Sequence, residues 1–189
     1  MNKKDSLLRE IARYPLILIM VFWVVQIIKS LSGATLLGFG VVPRELYGLV
    51  GVVTSPFIHG NFEHLIANTL PFFFLACLLF MSHRKRVVSY LVVIWLTTGL
   101  ITWIIGRNAS HIGASGVIYG MASFLVFAGI FGKRLKLIAI SILVIFFYSG
   151  LIWGLFSTER QVSWEGHLAG TLSGLLLAFC YRKSLQAER

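Results

Sequence analysis

With 189 residues and 21.1 kDa, the chain has the length of one ordinary domain. Residues of the set AVILMFWYC make up 57% of it, charged residues 13%, and the mean hydropathy is +0.84; soluble domains run roughly 45–50% apolar and about 25% charged, so a water-soluble protein is excluded. The formal charge of +10 would suggest nucleic acid in a soluble protein. Here the basic residues cluster between apolar runs, so membrane lipids and topology account for them and no nucleic acid is expected.

In chain order, apolar runs suited to membrane-spanning helices fall at 14–31, 64–82, 87–105, 115–132, 135–156 and 164–181. At about 1.5 Å per residue each approaches or exceeds roughly 30 Å, the thickness of a bilayer's hydrocarbon. The stretch 32–60 is rich in glycine, interrupted by Pro43 and Pro56, and semi-apolar. It is too irregular to span and is expected to lie at the membrane interface. The fold class expected is therefore all-α: one membrane domain over 1–189, with six transmembrane helices and an interfacial first loop. A short N-terminal segment, 1–13, and a short tail, 182–189, flank it.

Basic residues alternate in density between successive loops. Lys3, Lys4, Arg9 and Arg13, then Arg84, Lys85 and Arg86, then Lys133, Arg134 and Lys136, and finally Arg182, Lys183 and Arg189 make thirteen. The alternate loops hold only Lys29, Arg44, Arg107 and Arg160. The positive-inside rule then places both termini in the cytoplasm, with a cell membrane as the expected location. Cys77 and Cys180 lie within apolar runs, without disulfide or metal spacing.

Polar residues inside apolar spans need a partner or a function. His64 and Asn68 are four apart, hence about 40° apart on one helix face, and Ser115 and Tyr119 have the same relation. With His167, they lie at the ends of their spans opposite the dense basic loops. Ser115 stands in Gly113-Ala114-Ser115-Gly116, where small neighbours leave the hydroxyl open and a helix N-terminus supplies free N–H groups. Taken alone, that tetrapeptide is weak evidence, since in a membrane helix it is more often a packing face. His167 heads a stripe of glycines at 166, 170 and 174 that matches Gly116 and Gly120, so the two helices can approach closely. A serine and an imidazole brought together this way suit nucleophilic catalysis. His64, Asn68 and the Ser115 N–H are candidate oxyanion donors. The ring of Tyr119 fits either packing against His167 or an interfacial aromatic. Glu165 lies about 200° around a regular helix from His167, and Glu63 is expected to face water.

These residues, in this order across these runs, resemble the rhomboid family of intramembrane serine proteases. The resemblance rests on His64-x-x-x-Asn68, on Gly113-Ala114-Ser115-Gly116 with Tyr119, and on His167-x-x-Gly170-x-x-x-Gly174. It implies that Ser115 is the nucleophile and His167 the general base and acid. His64, Asn68 and the Ser115 amide would form the oxyanion hole, supported by Gly113, Gly116, Tyr119, Gly170 and Gly174. It implies no cofactor, no metal and no third, acidic member. Partners would be membrane lipids and transmembrane protein substrates, single-span or other, cut near the membrane boundary and admitted past the fifth span. Two features depart from the family: Arg44 is followed by Glu45 in a first loop without Trp, and His83-Arg84-Lys85-Arg86 replaces an acidic-basic signature.

Other readings lack their residues. A zinc protease needs His-Glu-x-x-His, which is absent, and an aspartyl protease needs two intramembrane aspartates, whereas the only aspartate is Asp5. A small transporter would place ionisable groups near mid-membrane or show matching halves. A catalytically inactive rhomboid-like binder would have lost the serine or the histidine, and both are kept. His59 and His111 lie in outward loops and are expected to be solvated or interfacial, with a role near the entrance to the site as the alternative.

Overall fold

The computed structural model describes residues 3–159 and 161–187, with side chains from residue 11 onward. Of the basic residues used for topology, Arg160, Arg189 and the side chains of Lys3, Lys4 and Arg9 lie outside the described residues. Eight helices follow one another: α1 (Lys3–Ser32), α2 (Gly51–Thr54), α3 (Phe62–Ser82), α4 (Val87–Ile105), α5 (Ser115–Gly132), α6 (Leu135–Tyr148), α7 (Trp164–Cys180) and α8 (Arg182–Ala187). Among the described residues the only strand-like pairing is an isolated antiparallel bridge between Val41 and His111.

Among the described residues five helical stretches are long and apolar enough to cross a membrane: Ile11–Ser32, Phe62–Ser82, Val87–Ile105, Ser115–Gly132 and Leu135–Leu155. The sixth apolar run forms α7, whose 17 residues reach only about 25 Å at about 1.5 Å per residue. The fifth run is not one uniform helix. It is α-helical to Tyr148 and tightens into 3₁₀ turns over Ser149–Leu155, where a Ser-Gly step of low helix propensity interrupts it.

α5 is the axis of the bundle. About two-thirds of it (67%) is buried, against 17% of the α6 stretch, which lies at the edge. The closeness of α5 and α7 comes from their glycines. A Cβ on Gly170 would run into the Gly116 carbonyl, and one on Gly174 into the Gly120 carbonyl. Backbones at this separation bring polar groups within reach. Ser123 Oγ donates to the Thr171 carbonyl (2.7 Å), Ser173 Oγ donates to the Ile94 carbonyl on α4 (3.2 Å), and the Thr97 and Ser173 hydroxyls bond each other. Each such bond contributes roughly 0.6 kcal/mol in a membrane, so close packing carries most of the joint.

The segment between α1 and α3 is tied to the end of α4. Arg44 donates from Nη1 to the Gly106 (2.8 Å) and Ile104 (3.2 Å) carbonyls, satisfying groups that a helix end leaves open. A tryptophan does reach this loop, but from α4: Trp103 Nε1 donates to the Glu45 carbonyl (2.9 Å). Leu46 and Tyr47 remain exposed. At the opposite end of the bundle, His83 is buried against Tyr90 and Phe124, while its neighbours Arg84, Lys85 and Arg86 are exposed. Both cysteines are free, and Cys180 is exposed.

Candidate active site

Ser115 is the first residue of α5, and the chain reaches it through a turn that only glycine fits. Gly113 has φ +106°, and a Cβ there would lie 2.7 Å from Cε1 and 2.8 Å from Nε2 of His64. Its N–H donates to the Ser55 carbonyl (2.9 Å), fixing the turn against the first loop. The opening N–H groups of α5 have no partner within the helix, as at any helix start.

The glycine-lined contact places His167 opposite Ser115, with Nε2 3.0 Å from the hydroxyl oxygen. The other ring nitrogen, Nδ1, lies 2.9 Å from the Gly154 carbonyl. A carbonyl can only accept, so Nδ1 carries the proton, and Nε2 offers its lone pair to the Ser115 O–H. Tyr119, one turn into α5, stacks flat on the imidazole at 4.1 Å between ring centres and 4° between planes. Its hydroxyl donates to the Leu151 carbonyl. Of the two readings open for Tyr119 in the sequence, packing on His167 is the one realised. A serine hydroxyl bonded to the basic nitrogen of an oriented, largely buried imidazole can transfer its proton as it attacks an electrophile.

His64 and Asn68 face the same cavity, about 580 Å³, as Ser115, Tyr119 and His167. His64 Nδ1 accepts a long bond from the Gly60 N–H (3.4 Å), which leaves its proton on Nε2, the nitrogen lying against Gly113. Asn68 is buried, and its Nδ2 donates one hydrogen to the His64 carbonyl (2.7 Å), leaving the second for the cavity. Glu63 is exposed at the rim. Glu165, itself buried, turns away from His167 and pairs with the partly exposed guanidinium of Arg107 (2.9 Å to Oε2), which also bonds the Val162 carbonyl. Residues 58 apart in sequence thereby bind the loop before α5 to the start of α7.

Two expectations are corrected. His59 and His111 are not solvated: both are buried, His59 completely. His59 is enclosed by Phe22 and the His64 ring, and neither of its nitrogens has a partner among the protein atoms. Burial, then the nearby His64, push its pKa down to about 3 against an opposing contribution from the Phe57 backbone, with Lys29 adding a smaller push. Burial also lowers the pKa of His111. Loop position misled in both cases, because the loops fold back over the helix ends.

His111 makes a second histidine–serine contact, Nδ1 to Ser163 Oγ at 2.6 Å. That hydroxyl oxygen also accepts the Gly166 N–H as the cap of α7, so it is committed to holding the helix start. The Ser115 hydroxyl has no such commitment among the bonds described. Sequence reasoning missed the Gly154 and Leu151 carbonyls and the Arg107–Glu165 pair. Backbone acceptors leave no side-chain signal, and the pair spans a separation that no local pattern exposes.

The Rhomboid domain family matches residues 44–184. The chain belongs to the rhomboid family. This rhomboid is 38% identical to an uncharacterized protein of Mycobacterium tuberculosis over 166 residues, covering 83% of this chain and 69% of that protein. A putative rhomboid protein of Acanthamoeba polyphaga mimivirus is 26% identical, covering 68% and 72%. A chloroplastic rhomboid-like protein of Arabidopsis thaliana is 29% identical, covering 69% and 52%. The family match contains His64, Asn68, Ser115, Tyr119 and His167.

Proposed function

We propose that this rhomboid is an intramembrane serine endopeptidase. The observation that carries the reading is the 3.0 Å contact from His167 Nε2 to Ser115 Oγ, with the opposite nitrogen held as a donor. In this reading His167 takes the hydroxyl proton as Ser115 Oγ bonds to the scissile carbonyl carbon. The carbonyl oxygen becomes an oxyanion, received by the His64 Nε2–H, the free Asn68 hydrogen and the Ser115 N–H. Collapse breaks the C–N bond, and the imidazolium gives its proton to the leaving amine. Water then repeats the cycle on the acyl-enzyme: His167 takes its proton, and Ser115 Oγ leaves and is reprotonated.

Substrates in this reading are transmembrane segments cut near the membrane boundary, since the cavity opens at the end of the bundle formed by the starts of α3, α5 and α7. α7 serves as the sixth span, with the bilayer thinned slightly or its flanks carrying the difference in length. The exposed Leu46 and Tyr47 rest at the interface, both termini are cytoplasmic, and the protein resides in the cell membrane. The test is incubation of purified protein with a labelled single-span substrate. Wild type is expected to release a fragment; Ser115→Ala, still folded, is expected to lose about 10⁴-fold or more. Equal cleavage by the variant overturns the assignment.

A further inference from the structure

We infer that two carbonyls of the 3₁₀ turn Ser149–Leu155, those of Leu151 and Gly154, position the serine–histidine pair, with the Gly154 carbonyl setting the tautomer and orientation of His167. The inference rests on the function proposed above. A neutral imidazole has two tautomers, and only the one protonated on Nδ1 leaves Nε2 free to accept from Ser115. Serine proteases commonly assign that choice to a buried carboxylate. Here the nearest candidate in sequence, Glu165, is spent on Arg107, and Glu63 is exposed. The acceptor at Nδ1 is the Gly154 carbonyl.

The geometry of the turn explains how it does this. In a 3₁₀ helix positions i and i+3 eclipse, so the Leu151 and Gly154 carbonyls point to one side. They meet the two stacked rings, Leu151 accepting from Tyr119 Oη and Gly154 from His167 Nδ1. The four groups close a bracket: carbonyl, phenol, imidazole, carbonyl. Position 154 admits no side chain within it. A Cβ there would run into Tyr119 Oη and lie 3.1 Å from His167 Nδ1, whereas a Cβ on Gly150 would meet nothing within 4 Å. No residue of the turn is fully buried, and Trp153 and Ile152 are exposed; besides the bracket, half-buried Leu151 packs against the core. Displacing the turn breaks both bonds together and releases the tautomer.

The test combines ¹⁵N-histidine NMR of the full chain in micelles with cleavage kinetics. Wild-type His167 is expected to carry its proton on Nδ1 at neutral pH. Gly154→Ala is expected to lose that single tautomer and to lower kcat about 10–100-fold with KM nearly unchanged, the pattern of a displaced catalytic group. Gly150→Ala, in the same turn, is expected to match wild type in both. Adding Tyr119→Phe to Gly154→Ala removes the atom the new methyl strikes and is expected to restore part of the lost kcat. Tyr119→Phe alone keeps the ring stack, so wild type and this variant still decide the matter if Gly154→Ala does not fold: the Nδ1 proton is expected in both. A wild-type proton on Nε2, or a Gly154→Ala variant unchanged in tautomer and kcat, overturns the inference. A wild type that holds the Nδ1 proton yet cleaves nothing supports the bracket and overturns the protease reading instead.

Discussion

A histidine's value as a base depends on which nitrogen is free, and at His167 that is decided by backbone and ring contacts. Asn68 is buried, with one hydrogen on the His64 carbonyl and the other free for an oxyanion in the proposed reaction. Asn68→Ala is expected to lower kcat about 10²-fold or more with a smaller change in KM, as loss of an oxyanion donor does. Equal changes in both would remove it from that role. His59 supplies a different test. Its pKa falls from 6.5 to about 3 on folding, so below pH 6.5 the unfolded chain binds a proton that the folded chain refuses. Its contribution is complete above about pH 6.5, declines as the pH falls towards 3, and is on the order of a few kcal/mol. Thermal unfolding in detergent is expected to show Tm falling between pH 7 and 4, and His59→Phe is expected to flatten that slope. At this scale the residues legible in the sequence were those polar in an apolar run: Ser115, Tyr119, His64, Asn68 and His167. Burial of His59 and His111 is not legible in the sequence, since a residue's place in a loop does not say where that loop folds.

Among the elements, the joint of α5 and α7 does the most, because it brings together residues 52 apart in sequence. The glycine spacing announced that joint: the stripes at 116 and 120 and at 166, 170 and 174 meet as backbone against backbone. Gly170→Val is expected to separate the helices, costing about 1–3 kcal/mol or more and abolishing activity with it. Gly38→Val, where a Cβ meets nothing within 4 Å, is the control expected to do neither. The Arg107–Glu165 pair fastens the same joint from outside. Since the Arg107 side chain is 36% exposed, Arg107→Ala is expected to cost about 1–2 kcal/mol, less than the roughly 3–5 kcal/mol of a fully buried pair. Chemical denaturation would read both. The fifth span shows the limit of reading by hydropathy. Its apolar run continues through residue 156, but hydropathy does not register the change from α to 3₁₀ winding that turns two carbonyls towards the site.

At the scale of the whole molecule, composition and charge decide how the chain sits. The cavity opens at the end of the bundle away from Arg84, Lys85 and Arg86, and in the topology proposed above those basic residues face the cytoplasm. A cysteine introduced at residue 85 is expected to react with an impermeant thiol reagent only from the cytoplasmic side, and one at residue 109 only from the other; the reverse pattern would invert the topology. For the proposed chemistry, one hydroxyl, that of Ser115, must have the reactivity of a nucleophile. That is read most directly by treating the purified protein with a fluorophosphonate and locating the adduct by mass spectrometry. The expected result is a single phosphonylated serine at 115, absent from Ser115→Ala and lost from a folded His167→Ala. An adduct elsewhere, or labelling that persists without His167, would contradict it.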